Sequence, residues 1–112
     1  MTKNYLETEK FLTSSEKFCI NLGLKRVLKV LEFFGNPQDK IKVIHVAGTN
    51  GKGSVCTMIA EILKTAEFKT ALYTSPHLFS YTERFKINGE NISENLFSEY
   101  VSSVENIAKQ HN

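Results

Sequence analysis

Ile41-Lys42-Val43-Ile44-His45-Val46-Ala47-Gly48-Thr49-Asn50-Gly51-Lys52-Gly53-Ser54 is the stretch on which the reading of this chain turns. Its first half is β-rich and nearly continuous in apolar residues, the pattern of a strand buried on both faces of a parallel sheet. Three glycines, Gly48, Gly51 and Gly53, then fall within six residues. After Ser54 the spacing turns helical, with Val55, Ile59, Ile62, Leu63 and Ala66 recurring on one side. Lys69-Thr70-Ala71-Leu72-Tyr73-Thr74 follows as a second strand. The expectation is an α/β fold built on a βαβ unit with a right-handed crossover.

Outward from that unit, residues 4–12 predict a short helix with Tyr5, Phe11 and Leu12 inward, and residues 13–23 a loop. Leu24, Val27, Leu28, Leu31 and Phe34 recur at helical spacing, opposite Lys25, Arg26, Lys29 and Glu32. Gly35 stands where a C-terminal cap glycine belongs, and Asn36-Pro37 follows as a stop. Downstream, residues 75–92 read as a loop and then a hairpin. Phe85 and Ile87 alternate with polar neighbours, and Asn88-Gly89 predicts a type I′ turn. Ser93 caps a last helix, with Glu94 in its first turn. Its apolar face is Leu96, Phe97, Tyr100, Val101, Val104, Ile107 and Ala108, and it ends near Gln110. No linker is visible, so one compact region is expected.

The 112 residues are 41% hydrophobic and 23% charged, which is enough apolar content for a packed core and argues against disorder. The net charge is only +2, with no basic block, so nucleic acid is not an expected partner. Cys19 and Cys56 form no CxxC pair, and His45, His77 and His111 are scattered, which argues against a zinc site. The N-terminus is too charged for a secretory signal, and no apolar run reaches the roughly 20 residues of a membrane span. A cytoplasmic chain with reduced thiols is expected.

Glycines between a strand and a helix permit positive φ and let backbone N–H groups converge on an anion. The helix start adds unpaired N–H groups and the positive end of a dipole. A charge there is worth roughly 0.3–1 kcal/mol when exposed and up to about 2 when partly buried. That alone cannot hold a nucleotide, whereas a cage of N–H groups from Thr49 to Ser54 plus the Lys52 ammonium can. The general phosphate-loop pattern G-x-x-x-x-G-K-[ST] fails twice: Val46 stands where its first glycine belongs, and Gly53 separates Lys52 from Ser54. A glycine-rich turn with a surface lysine is the alternative. In the phosphate-binding reading, Lys52 reaches the β and γ oxygens, and the Ser54 hydroxyl bonds phosphate or Mg²⁺.

The string His45 to Ser54 resembles the loop of folylpolyglutamate synthase/dihydrofolate synthase, a branch of the Mur-ligase superfamily. Tyr73-Thr74-Ser75-Pro76-His77-Leu78 with Thr82-Glu83-Arg84-Phe85 resembles that family's next motif, and Leu22-Gly23-Leu24-Lys25-Arg26-Val27 also fits. The superfamily's loop begins G-T-N-G-K, which accounts for both failures of the general pattern. Cell-wall Mur ligases usually place Thr or Ser directly after the lysine, so Gly53 favours the folate branch.

The resemblance implies a partial P-loop-type, three-layer fold, that of the Mur-ligase central domain. Its parallel sheet is incomplete and preceded by N-terminal helices. It implies ATP and Mg²⁺ as cofactors, with Gly48, Thr49, Asn50, Gly51, Lys52, Gly53 and Ser54 at the ATP phosphates and Lys52 catalytic. It implies Ser75 as a Mg²⁺ ligand, and a substrate-side loop from Pro76 to Arg84 that includes His77. The implied reaction makes an acyl phosphate from ATP and a carboxylate, which an amine then converts to an amide. The acceptor is a folate's glutamate tail or dihydropteroate, and the amine is that of L-glutamate. Family members are roughly four times this length. Residues 1–112 therefore read as the N-terminal part of the ATP-binding domain, with the rest of it and a C-terminal domain absent. Further Mg²⁺ ligands and a modified lysine are expected downstream.

Plainer readings stand beside these. Ser75 before Pro76 also suits a turn. His77 suits loop packing, His45 a hydrogen-bonded core position, and Cys56 a small buried filler. Arg84 either meets an anionic substrate or pairs with Glu83 or Glu90. A cell-wall amino-acid ligase and a non-catalytic nucleotide-binding module are the rival functions. A monomer is expected of the full-length enzyme, and self-association of this chain alone.

Overall fold

The computed structural model describes residues 2–16 and 24–110. The chain divides into two compact units with no linker composition at either junction, residues 1–43 with 95–112, and residues 44–94.

The first unit is helical. Helix α1 spans Tyr5–Glu16, α2 Lys25–Phe33 and α4 Glu94–Gln110, with a 3₁₀ turn at Pro37–Lys40. Asn4 opens α1 through a reciprocal cap: its side-chain oxygen accepts from Glu7 N–H and its own N–H donates to the Glu7 carboxylate. The expected end near residue 12 is passed by one turn. The Ser14 and Ser15 hydroxyls donate back to the Phe11 carbonyl, which keeps this polar stretch helical. The remainder of the expected loop, 17–23, lies outside the described residues. Helix α2 stops as expected. Gly35 has φ +74° and its N–H reaches the Glu32 carbonyl, while Asn36 N–H reaches that of Leu31. Its apolar stripe is nevertheless open, with Leu24, Val27 and Leu28 all more than half exposed.

On α4 the buried line is not the expected apolar face. Phe97 is buried, but so are Ser98, Ser102 and Glu105, whereas Tyr100 and Val104 are exposed. The N-terminal segment causes this displacement by docking there. Lys3 N–H donates to the Ser102 hydroxyl and its ammonium pairs with the Glu105 carboxylate at 2.5 Å. The Tyr5 and Phe97 rings meet at 6.0 Å.

The second unit holds α3, Lys52–Thr65, and three short strands: β1 Ala71–Tyr73, β2 Phe85–Ile87 and β3 Glu90–Asn91. They form one antiparallel sheet in the order β1-β2-β3. The hairpin is the expected one. Asn88 and Gly89 have φ +49° and +86°, and Ile87 faces Glu90 across the two-residue turn. The Asn88 side chain also accepts from Thr70 N–H, tying the turn to the start of β1.

Two fold expectations are corrected here. Residues 41–46 form no strand, and Ile41, Val43 and Ile44 are each more than 60% exposed. The expected parallel βαβ unit is absent among the described residues. Strand β1 pairs antiparallel with β2 instead, in the register Ala71–Ile87, Leu72–Lys86 and Tyr73–Phe85. A strand exists only where its backbone groups find a ladder partner, and the 41–46 run has none among the described residues. No described helix is long and apolar enough to cross a membrane.

Candidate functional site

Gly51 sets the geometry of the glycine loop. Its φ of +74° and ψ of 5° place it in the left-handed region, where it acts as N-cap of α3. No atom lies within 4 Å of where a Cβ would stand, so backbone conformation and not crowding selects glycine here. Helix α3 therefore begins at Lys52, one or two residues earlier than the sequence suggests. Its first internal bond runs from Val55 N–H to the Gly51 carbonyl at 3.0 Å. The N–H groups of Lys52, Gly53 and Ser54 precede that bond and have no partner within the helix. They stand at the positive end of a 14-residue helix, which acts as roughly half a unit charge.

The Lys52 ammonium donates to the Gly48 carbonyl at 2.5 Å. This bond folds the side chain back onto the start of the glycine loop. Thr49, Asn50, Gly53 and Ser54 are all exposed. A Cβ on Gly53 would also meet nothing within 4 Å. The missing side chain leaves the first turn of α3 open, and neither packing nor φ demands it.

A second cluster lies at 75–84. Ser75 and Pro76 are joined by a cis peptide bond and are exposed. His77 is half-buried and packs on the buried Tyr81 with ring centres 4.3 Å apart. Of the two readings left open for Arg84, pairing with Glu83 or Glu90 is not seen among the described residues. The Arg84 Nε donates to His77 Nδ1 at 2.8 Å, and its guanidinium lies over the Tyr81 ring. His77 thus packs within the loop, its Nδ1 accepting from Arg84.

Glu83 organises this loop, and the sequence reading assigned it no such role. Its carboxylate accepts from the N–H groups of Leu78, Phe79 and Ser80, and the Ser80 hydroxyl caps the turn in return. These backbone donors, that of Leu78 foremost, hold the Glu83 carboxyl below its ordinary value. The spacing Ser80-x-x-Glu83 is the signal that would have revealed it. Leu78 and Phe79, whose backbones are pinned in this way, are 83% and 90% exposed as residues.

Of the other singled-out residues, His45 is exposed and is no core histidine, and Cys56 is half-buried. No hydrogen bond links Ser75 to the glycine loop among the described residues. Nor does any group of three His, Cys, Asp or Glu side chains suited to a metal stand among them.

No protein-family model matches the chain. It is 40% identical over 92 residues to the dihydrofolate synthetase of Saccharomyces cerevisiae, which covers 82% of this chain and 22% of that protein. Its fold superposes on the folylpolyglutamate synthetase of Lactobacillus casei with a TM-score of 0.87 and 36% identity, over 96% of this chain and 27% of that one. It superposes on E. coli FolC, solved in complex with DHPP and ADP, with a TM-score of 0.85 and 33% identity, over 95% and 26%. The chain thus spans about a fifth to a quarter of the length of these relatives. By sequence and by structure, its homologues are the folylpolyglutamate/dihydrofolate synthases of the Mur ligase superfamily.

Proposed function

We propose that this chain supplies the ATP-phosphate end of the active site of an ATP-dependent ligase. The ligase joins L-glutamate to the glutamate tail of a folate, or to dihydropteroate. The observation that supports this most is the left-handed Gly51 opening α3, with the Lys52 ammonium folded back onto the Gly48 carbonyl. The relatives support the chemistry, since one of them was solved with ADP.

The roles follow from charge. The N–H groups of Lys52, Gly53 and Ser54 hold phosphate oxygens, and the turn Gly48-Thr49-Asn50 shapes the cradle. Lys52 exchanges its Gly48 carbonyl for the β and γ oxygens and neutralises the charge that spreads during transfer. A carboxylate oxygen attacks the γ phosphorus, ADP leaves, and an acyl phosphate results. The glutamate amine then attacks the acyl carbon and phosphate departs. Pro76, His77 and Arg84 belong to the loop on the acceptor side.

Magnesium suits the hydroxyl oxygens of Ser54 and Ser75, both exposed, as part of a shell completed by phosphate and water. When bound, the ion neutralises phosphate charge. We place residues 1–112 in the N-terminal part of a Mur-ligase-like ATP-binding domain, whose three-layer sheet the rest of that domain completes. The free Cys56 thiol accords with a cytoplasmic setting.

The test is nucleotide binding followed amide by amide. ATP should shift the Lys52, Gly53 and Ser54 resonances first; no ATP-dependent shift there overturns the reading. Because the relatives carry three quarters of their length outside the matched region, the isolated chain should release no ADP in response to glutamate and folate. Glutamate-dependent ADP release would show that the chain is catalytically complete.

A further inference from the structure

Arg84 holds both neighbours of the exposed Ser75-Pro76 pair. Its backbone carbonyl accepts from Thr74 N–H at 3.0 Å, one residue beyond the Tyr73–Phe85 pair of the β1–β2 ladder. Its side chain reaches the other end, where Nε donates to His77 Nδ1 at 2.8 Å. Only Ser75 and Pro76 lie between these anchors, and so short a span has few soft dihedrals left to vary.

Arg84 can anchor them because it is itself fixed on both sides. It ends the 3₁₀ turn Tyr81–Arg84, which Ser80 and Glu83 cap, and β2 begins at the next residue. Its guanidinium lies 5.1 Å from the centre of the buried Tyr81 ring, and the same ring packs on His77 at 4.3 Å. Donor and acceptor thus sit on one aromatic platform. A planar guanidinium can stack and donate at once, which a lysine ammonium does not match. The Ser75 hydroxyl, by contrast, is exposed and makes no hydrogen bond among the described residues. The segment is tied at its flanks and open at that one oxygen. Groups placed behind a metal ligand hold it in this manner without touching the metal.

We propose that Arg84 is a positioning residue which, through Thr74 and His77, fixes the Ser75 hydroxyl for magnesium. This rests on the magnesium role proposed for Ser75 and adds the group that orients it. Nuclear magnetic resonance of the 112-residue chain with ATP and Mn²⁺, a paramagnetic substitute for magnesium, reads how close the metal comes to each amide. In the unaltered chain the Ser54 and Ser75 amides should both relax faster. Arg84→Met removes the donor, and His77→Phe removes the acceptor while keeping a ring on Tyr81. Each should lower the Ser75 enhancement roughly tenfold, the low end for groups that orient a metal ligand, and leave that of Ser54 unchanged. The double variant should lose no more than either single one, since both remove the same bond. The Leu78, Phe79 and Ser80 amides, held by Glu83, should keep their exchange protection, which separates positioning from collapse of the loop. If Arg84→Met does not fold, His77→Phe carries the comparison. Four results would each overturn the proposal: no Ser75 enhancement beside a normal one at Ser54, an enhancement unchanged in the variants, additive losses in the double variant, or protection lost at the three amides as well. No enhancement at either serine would overturn the nucleotide reading itself, and the proposal with it.

Discussion

The Lys52 ammonium lies 2.5 Å from the Gly48 carbonyl oxygen, one helical turn back along the chain. The bond spans the whole glycine loop, from the residue where it leaves the apolar run to the first residue of α3. A cation parked on a neutral carbonyl is held weakly compared with one facing phosphate, because ionised partners make the stronger hydrogen bonds. In the proposed function this side chain exchanges the carbonyl for a phosphate oxygen.

Gly51 and Gly53 should behave oppositely on substitution. Gly51→Ala forces a Cβ into the left-handed region, costing roughly 1–2 kcal/mol, and should lower both α3 helicity and ATP affinity. Gly53→Ala is sterically free and helical, so it should leave stability unchanged or raise it by up to about 1 kcal/mol. Urea denaturation of the two variants checks this; equal destabilisation would mean that the loop conformation is misassigned.

Glu83→Ala should release the Leu78, Phe79 and Ser80 amides, seen as accelerated hydrogen exchange at those three positions. Glu83→Gln keeps one acceptor oxygen and should protect them partly. Since the folded carboxyl titrates below the ordinary range of a glutamate, the loop's order is full above that range. It is lost as pH falls through the lower folded value. Protection factors at these amides that depend on neither pH nor Glu83 would show that the carboxylate does not organise the loop.

Glu105 should make the helical unit acid-sensitive in the same direction. Lys109 and Lys3 pair with its carboxylate and hold it below the ordinary value of a glutamate. Its contribution is complete above that value and lost as pH falls through the folded one. Glu105→Gln should cost about 1 kcal/mol near pH 7 and reduce the acid sensitivity of the urea midpoint. A midpoint with the same pH dependence in both proteins would contradict the pairing.

What the sequence disclosed was local. Gly35 ending α2 and Asn88-Gly89 turning the hairpin each depend on a few neighbouring dihedrals, and both were legible. The 41–46 strand was not, because a strand depends on a distant partner, and β1 pairs with β2 across the loop instead. The glycine loop was legible as the turn that leads into a helix, but the strand expected ahead of it is absent among the described residues. The His77–Arg84 bond was not, since it joins a short irregular stretch to a single 3₁₀ turn, Tyr81–Arg84, and neither carries a period. Glu83 was hidden differently: a charged residue suggests surface, and only its spacing from Ser80 marks it as an internal acceptor. The Ser98–Ser102–Glu105 line escaped notice because apolar residues alone were sought for the core of α4.

The central claim is that Lys52 and the open turn of α3 together hold the phosphates of ATP. Isothermal titration of ATP into the chain and its Lys52→Ala variant tests it most directly, with AMP as control. The expected result is a loss of at least tenfold in ATP affinity, about 1.4 kcal/mol, with AMP binding unaltered. Equal ATP affinity in the two proteins would contradict the account.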